Sequence, residues 1–228
     1  MKTFLNVGCG AAIGPHWHNL DSSRLVFLDR HRILKSLLKP ILPASAATEK
    51  FKGAMYMDAR KKWSYADASV DGIYTSHFLE HLTFRDAQHV IREAYRVLKP
   101  GGVVRFVLPN VEFMIQEYLE GKKKGDKLAA TKLSWEIDVF QHFAPKKNFL
   151  ARIEAKIYDK NSHKFLYDNE SLTFYLEEVG FKNITKMAPH TSALPNINEV
   201  EKVHLVGAGS ICLEGIKPKQ AEQEKQAA

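Results

Sequence analysis

Three side chains able to accept or donate a proton lie close together in the segment SHFLEHL, which carries His77, Glu80 and His81. His77 and His81 are four residues apart, so on a helical turn they share a face. Imidazole and carboxylate groups are common acceptors of a proton from a reacting hydroxyl. The H-x-x-E-H pattern is also similar to metal-ligand spacings. No third ligand follows at a persuasive distance, so we expect no metal site here.

A glycine turn, Gly8-Cys9-Gly10, follows the apolar run that begins at Phe4. This pattern predicts a buried first strand that feeds a ligand loop, because glycines let backbone N–H groups approach a ligand without a Cβ in the way. A plain tight turn is the alternative. Ligands of parallel sheets bind at the carboxyl ends of the strands, so the chemistry must be sought where later strands end.

A carboxylate follows the next predicted strand, in which WHNL ends at Asp21. A carboxylate at this position of a doubly wound fold holds a ribose diol, since two hydroxyls match two carboxylate oxygens. Two alternatives stay open. Asp21 could cap a turn with Ser22 and Ser23, and the run RLVFL, which ends at Asp29, also looks like a strand.

The strands that position these residues alternate with helical segments or loops, which indicates an α/β fold with a doubly wound, mostly parallel sheet. Two late strands suggest an antiparallel C-terminal hairpin at a sheet edge, and a helical insertion at about 111–157 is expected to cap the substrate. We expect a single domain over 1–216 and a disordered tail over 217–228. Further strands are predicted at 53–57, 70–75, 103–108, 181–187 and 203–216, and helical segments at 30–42, 83–98, 111–119, 127–143 and 169–180.

The composition is that of an ordinary soluble globular protein, with 45% hydrophobic and 26% charged residues among 228. No apolar run is long enough to span a membrane, and the N-terminal stretch is too short for a signal peptide, so we expect a cytoplasmic protein. The two cysteines, Cys9 and Cys212, match no metal spacing, and Cys9 is interpreted as a buried filler of the turn. The net charge of +7 favours an anionic partner or reflects solubility alone.

The order of motifs resembles the class I S-adenosylmethionine-dependent methyltransferases. The segments that carry this resemblance are LNVGCG, WHNLD, MDARK, SVDGIYTSHFLEHL, EAYRVLKPGGVVRFVLPN and LEEVGF. The nearest type is the small-molecule one with EHL and LKPGG signatures. HKFLYD and SICLEG further resemble a subgroup found with bacterial polysaccharide-biosynthesis genes. The resemblance covers about residues 3–216 and implies S-adenosylmethionine as cofactor.

The resemblance also implies roles for matching positions. Asp21 would hold the ribose hydroxyls, and Asp58 would accept from the adenine amino group beside the backbone of Ala59. Ser76 and His77 would lie near the sulfonium. The methionine part would lie against Gly8, Cys9 and Gly10. The sequence departs from the family in its GCGAA turn and in a first helix that is short or missing.

The implied reaction is methyl transfer to a small-molecule or saccharide acceptor, an anionic one among the options, and oxygen is the favoured acceptor atom. A base for an acceptor hydroxyl would come from His77, His81 or His163, with His142 and Glu80 as further candidates. Tyr167 and Asp168 face the acceptor or, alternatively, belong to a helix cap. The lysines at 122–124, 127 and 132 guide an anionic acceptor or form a solvated helix end.

Two other functions stay open. The chain could be a non-catalytic cofactor-binding partner of another protein, because the cofactor residues do not distinguish a partner from an enzyme. A nucleic-acid methyltransferase is the less favoured alternative. Such enzymes normally show an NPPY-like tetrapeptide after the fourth strand, where this sequence has SHFL.

Overall fold

The computed structural model describes residues 2–23, 26, 31–38, 51, 53–137, 162–202, 206–207 and 209–219. None of the helices in these ranges has the length and apolar character needed to cross a membrane. The elements are β1 (Phe4–Val7), β2 (His18–Asp21), α1 (Arg32–Leu38), β3 (Ala54–Tyr56), β4 (Val70–Ser76), a 3₁₀ turn (Leu79–His81), α2 (Phe84–Val97), β5 (Leu98–Pro109), α3 (Val111–Lys123), α4 (Ala129–Glu136), α5 (Asn169–Val179), β6 (Lys182–Lys186), a second 3₁₀ turn (Ile197–Glu199) and β7 (Ser210–Ile216).

The strands of the described ranges form one seven-stranded sheet in the order β3-β2-β1-β4-β5-β7-β6. The first five strands of this order are parallel, and β7 runs antiparallel to both β5 and β6. The predicted fold class is therefore confirmed. β7 is inserted between β5 and β6, so β6 alone is the edge strand of the C-terminal pair.

The direction of chain crossing changes between β1 and β4. From β1 the chain proceeds outward to β2 and β3, and it then returns to lay β4 on the other side of β1. In open α/β sheets this switch point opens a crevice at the carboxyl ends of the strands, where ligands bind. The turn after β1 and the turn after β4 lie at this crevice.

Both faces of the sheet are covered, as the alternation along each strand requires. Ile73 of β4 and Phe106 of β5 belong to the larger core, which α2 and α5 cover. Their neighbours Tyr74 and Val107 face the second core, with Leu194 from the segment that precedes β7.

Helix α2 positions the sheet from one side. Its buried positions recur at helical spacing, and the Thr83 hydroxyl accepts from the Asp86 amide at the predicted cap. Strand β5 begins directly at Leu98, so the LKPGG segment is taken up by the strand instead of separating it from the helix. Gly101, at φ +83°, permits the backbone turn within that segment.

The second core is tied to β5 by a buried ion network. The Arg105 guanidinium is 0% exposed and lies 2.7 Å from Glu201 and 3.1 Å from Glu214. It also donates to the backbone carbonyls of Thr191 and Ala188. This single side chain therefore fixes the segment before β7 against the sheet.

Several predicted boundaries differ from the observed ones. Helix α3 continues to Lys123, and α4 begins at Ala129 and ends at Glu136. Strand β7 begins at Ser210. Residues 138–161 lie outside the described residues, and with them lie the last six residues of the second predicted insertion helix, including His142. Most of the predicted tail, from 220, also lies outside, whereas the Lys217 ammonium donates to the carbonyls of Tyr95 and Leu98.

Candidate functional site

The glycine turn after β1 is held by the end of β2. The amides of Gly8 and Cys9 both donate to the Leu20 carbonyl, at 2.8 Å and 3.1 Å. Gly8 and Gly10 have φ of +69° and +49°, a region that residues with a Cβ rarely adopt. A Cβ on Gly8 would lie 2.5 Å from Cγ of Phe78, whereas a Cβ on Gly10 would meet nothing within 4 Å. The turn therefore presents open space at Gly10.

Asp21 closes this turn from the tip of β2. Its Oδ2 accepts from the Gly10 amide at 2.9 Å, and its Oδ1 accepts from the Ser23 amide at 2.7 Å. The turn contact with Ser23 that the alternative interpretation required is therefore present. A carboxylate has about four lone-pair sites, so each oxygen keeps capacity for a further donor. Asp29 lies outside the described residues.

Cys9 contributes its backbone and not its thiol to the turn's open side. The side chain is 4% exposed and packs with Val26, Phe51 and Ala54 in a small apolar cluster. Burial, followed by the charge of Asp21, raises the pKa of the Cys9 thiol. The interpretation of Cys9 as a buried filler is therefore confirmed.

Asp58 and Ala59 follow β3 at the same edge of the sheet. The Arg60 guanidinium donates to the two oxygens of Asp58, at 2.8 Å and 2.9 Å. This contact lowers the pKa of the Asp58 carboxyl, which holds it in the charged form. The Ala59 carbonyl accepts from the indole N–H of Trp63 at 3.0 Å, which fixes the loop beneath the carboxylate.

The turn after β4 carries His77 in a left-handed conformation. Its φ is +47°, and its amide donates to the Val107 carbonyl at 2.9 Å, next to the Ser76–Val107 pair of the sheet. A non-glycine residue at positive φ is held there by its surroundings, and such residues cluster at functional sites. Nδ1 of His77 lies 3.2 Å from Oε1 of Glu80. The Phe78 ring lies against Gly8, so this turn covers the glycine turn.

A second segment brings His163 to the same place. The Glu80 carbonyl accepts from the amides of Lys164 and Phe165, and the Lys164 ammonium donates to the His81 carbonyl. The imidazole rings of His81 and His163 have centroids 5.1 Å apart. Ligating atoms of Glu80, His81 and His163 all lie within 4.8 Å of one another. The structure thus assembles the three predicted catalytic histidines around one buried carboxylate.

Sequence reasoning missed this convergence of His163 with Glu80 and His81. The missing third ligand was the reason for expecting no metal, and His163 supplies such a group from far downstream. HKFLYD contains no short-range signal for this contact, because backbone hydrogen bonds to the turn after β4 create it.

Tyr167 and Asp168 take different roles. Asp168 is the N-cap of α5, and its Oδ1 accepts from the Ser171 amide at 2.7 Å, so the helix-cap alternative is confirmed for this residue. Tyr167 is 1% exposed, and its carbonyl accepts from the Val111 amide beyond the end of β5. Burial, followed by the charge of Glu80, raises the pKa of the Tyr167 phenol.

The lysines of the α3–α4 pair have acidic neighbours. Lys124 lies 3.4 Å from Glu120, and Lys132 lies 2.6 Å from Asp126. Exposed pairs of this kind stabilise a protein little and are screened by salt. Part of the positive charge of this basic stretch is therefore neutralised by neighbouring carboxylates, as in a solvated helix end.

A further surface cleft lies at the opposite, amino edge of the sheet. It is lined by residues such as Asp67, Arg92 and Lys217. The residues just before β4 lie there, and their amides donate to carbonyls at the end of α2. The ligand crevice of this fold lies at the carboxyl edge. We therefore place the candidate site at the glycine turn and not in this cleft.

Residues 5–106 match a family model described as a methyltransferase domain. This span is just under half of the chain, and it contains the glycine turn, both strand-tip aspartates and the turn with His77. The chain thus carries a methyltransferase domain there. Together with the strand order, this match indicates S-adenosylmethionine as the cofactor.

Solved structures with a similar fold include three with 95% coverage of this chain. They are the complex of the Trm112 methyltransferase activator and a putative methyltransferase from Haloferax volcanii (13% identity, 83% of that chain, TM-score 0.49), a possible histamine N-methyltransferase from Thermotoga maritima (16%, 82%, 0.48) and a SAM-dependent methyltransferase from Archaeoglobus fulgidus (17%, 86%, 0.47). At these scores the likeness carries no argument about substrate or partner. A search of curated proteins found no match.

Proposed function

We propose that this methyltransferase domain methylates a hydroxyl of a small-molecule or saccharide acceptor. The observation that carries the proposal is the meeting of His77, His81 and His163 at the end of β4, beside the glycine turn. A sulfonium donor is already activated, so the protein mainly supplies orientation and a place for the acceptor's proton. Three imidazoles at the tip of the strand next to the cofactor turn suit a hydroxyl acceptor.

The residues present fit S-adenosylmethionine. Gly10 leaves open space where a side chain would otherwise stand, and Asp21 lies across that space with spare acceptor capacity for a ribose diol. Asp58, held in the charged form by Arg60, supplies an acceptor for an amino group. When bound, the cofactor supplies a methyl group on a positively charged sulfur, which leaves with the electron pair of the carbon–sulfur bond.

His77 is the base that the geometry favours. Its Nδ1 lies 3.2 Å from the Glu80 carboxylate, so a proton on Nδ1 faces Glu80 and leaves Nε2 with a lone pair. Nε2 would take the proton of the acceptor hydroxyl as the oxygen attacks the methyl carbon. A base oriented by a carboxylate is a recurring arrangement in catalysis. His81 and His163 lie beside the same carboxylate, with ligating atoms within 4.8 Å of one of Glu80.

Calorimetric titration with S-adenosylmethionine and S-adenosylhomocysteine tests the cofactor site. We expect micromolar binding in the wild type and a loss of about tenfold to hundredfold in Asp21→Ala, because hydrogen bonds to a charged group contribute about 1.5–3 kcal/mol. Asp67→Ala is the matched control, since the Asp67 side chain is exposed and distant from the turn. Absence of binding in the wild type would overturn the proposal.

Measurement of turnover tests whether His77 acts as the base. His77→Asn is the suitable variant, because asparagine tolerates the left-handed backbone better than most residues. We expect this variant to keep the wild-type affinity for S-adenosylmethionine and to lose turnover on a hydroxyl acceptor. Cofactor binding without turnover on any acceptor of a broad hydroxyl panel would instead support the non-catalytic partner.

A further inference from the structure

Glu80 is a buried carboxylate whose two oxygens lack hydrogen-bond donors among the described residues. Its side chain lies in the 3₁₀ turn after β4, the residue is 1% exposed, and neither oxygen accepts a hydrogen bond from the described residues. The Nδ1 atom of His77 lies 3.2 Å from its Oε1. Burying a carboxylate without donors is costly, so such groups are normally paired or coordinate a metal.

Two imidazoles face the same point. Ligating atoms of Glu80, His81 and His163 lie within 4.8 Å of one another. An ion placed between three atoms at that separation is at most about 2.8 Å from each, and side-chain rotations of less than 1 Å would bring it to the ~2.0–2.1 Å of a zinc–nitrogen bond. The three groups come from two segments that backbone hydrogen bonds hold together, so the arrangement is built into the fold.

The hydrogen-bond partner of one His81 nitrogen suits a metal ligand. Its Nδ1 lies 3.3 Å from the Ser162 carbonyl. A proton on Nδ1 would be donated to that carbonyl, which leaves the Nε2 lone pair for an ion. Ligating histidines are commonly oriented in this way by a backbone carbonyl on the other nitrogen.

We propose that Glu80, His81 and His163 bind a divalent transition-metal ion of the zinc class. Two imidazoles and one carboxylate form a set that suits zinc and its neighbours in the first transition row, whereas magnesium and calcium prefer oxygen ligands. Three protein ligands leave at least one position of the ion open, as catalytic sites do. His77, whose Nδ1 lies 3.2 Å from Oε1 of Glu80, would then remain the residue that moves the proton.

The role of the ion rests on the proposed function. Glu80 and His81 belong to the turn after β4, whose Phe78 lies against the glycine turn, and we expect an acceptor hydroxyl to take the open position of the ion there. The ion would make that hydroxyl more acidic. The proton would pass to Nε2 of His77, the oxygen would form a bond to the methyl carbon, and the electrons of the carbon–sulfur bond would stay on sulfur.

Metal binding can be measured on the whole chain without cofactor. The metal-free protein, prepared with a chelator, is titrated with Zn²⁺ by calorimetry and with Co²⁺ by visible absorption, which reports the coordination of the ion. We expect one tight site per chain in the wild type. Glu80→Gln and His163→Ala should each weaken it by about a hundredfold or more, since even changes behind a ligand cost about 10- to 100-fold.

His16→Ala is the matched control, because His16 and Glu199 form a histidine–carboxylate pair at the surface, 2.6 Å apart. Circular dichroism and thermal unfolding verify that each variant is folded. Equal zinc affinity in the wild type, Glu80→Gln and His163→Ala, or no binding in the wild type, would overturn the inference. Zinc binding without S-adenosylmethionine binding would refute the proposed function alone, and the converse would refute the metal site alone.

Discussion

Gly8→Ala perturbs the point where the glycine turn meets the turn after β4. A Cβ on Gly8 would lie 2.5 Å from Cγ and 2.9 Å from Cβ of Phe78. These are the atoms of Phe78 nearest its backbone, so a small rotation of the ring cannot remove the overlap. Phe78 packs against the main core, and its displacement would disturb the segment that carries His77.

The expected loss has two parts. An alanine at φ +69° costs about 1–2 kcal/mol relative to glycine, and the stiffer unfolded chain offsets about 0.4–1 kcal/mol of this. Forcing an extra methyl group into a packed contact adds about 1–3 kcal/mol. Gly10→Ala has a similar backbone cost at φ +49° but meets nothing within 4 Å. The two variants should therefore differ by about 1–3 kcal/mol, with Gly8→Ala the less stable.

Urea unfolding of both variants beside the wild type measures this difference directly. The double variant Gly8→Ala with Phe78→Ala should recover the part of the steric loss that comes from the ring, whose Cγ lies 2.5 Å from the added Cβ, after correction for Phe78→Ala alone. Equal stabilities of Gly8→Ala and Gly10→Ala would refute the packing of Phe78 against the glycine turn. Without cofactor the comparison does not depend on the proposed function.

Three further predictions concern stability. Arg105→Met should cost about 3–5 kcal/mol in urea unfolding, because it leaves the Glu201 charge buried and unpaired, and a smaller loss would contradict the network. Glu93 accepts from Arg96, which lowers the pKa of the Glu93 carboxyl below its ordinary value of 4.5. This hydrogen bond contributes about 1.5–3 kcal/mol to the free energy of unfolding above pH 4.5, the pKa of the carboxyl in the unfolded chain. The contribution is lost as the pH falls through the lower pKa of the folded protein. The stability gap between wild type and Glu93→Gln should therefore close on acidification, and a gap that is constant with pH would contradict this coupling. Asp168→Ala should cost about 0.5–2 kcal/mol in thermal unfolding through loss of the α5 cap, and no loss would contradict the capping box.

Local sequence patterns determined the turns, the helix caps and the strand ends of this protein. The glycine turn after β1, Asp21 at the tip of β2 and the Thr83 cap of α2 were all predicted from a few neighbouring residues. Turns, caps and strand ends depend on backbone preferences and hydrogen bonds within a few positions, so the sequence carries their signals directly. The regular alternation of strands with helical segments then led to the doubly wound class.

Contacts between distant segments were decided only by the tertiary structure. The sequence showed His77, Glu80 and His81 but gave no sign that His163 would join them, because that approach depends on hydrogen bonds between the segment at 162–167 and the turn after β4. Likewise, the ion pair of Arg105 with Glu201 and the insertion of β7 between β5 and β6 depend on how strands are ordered. Strand order is set by the burial of whole faces and not by local propensity, and it is therefore the fold that assembles the histidines and carboxylate of this site.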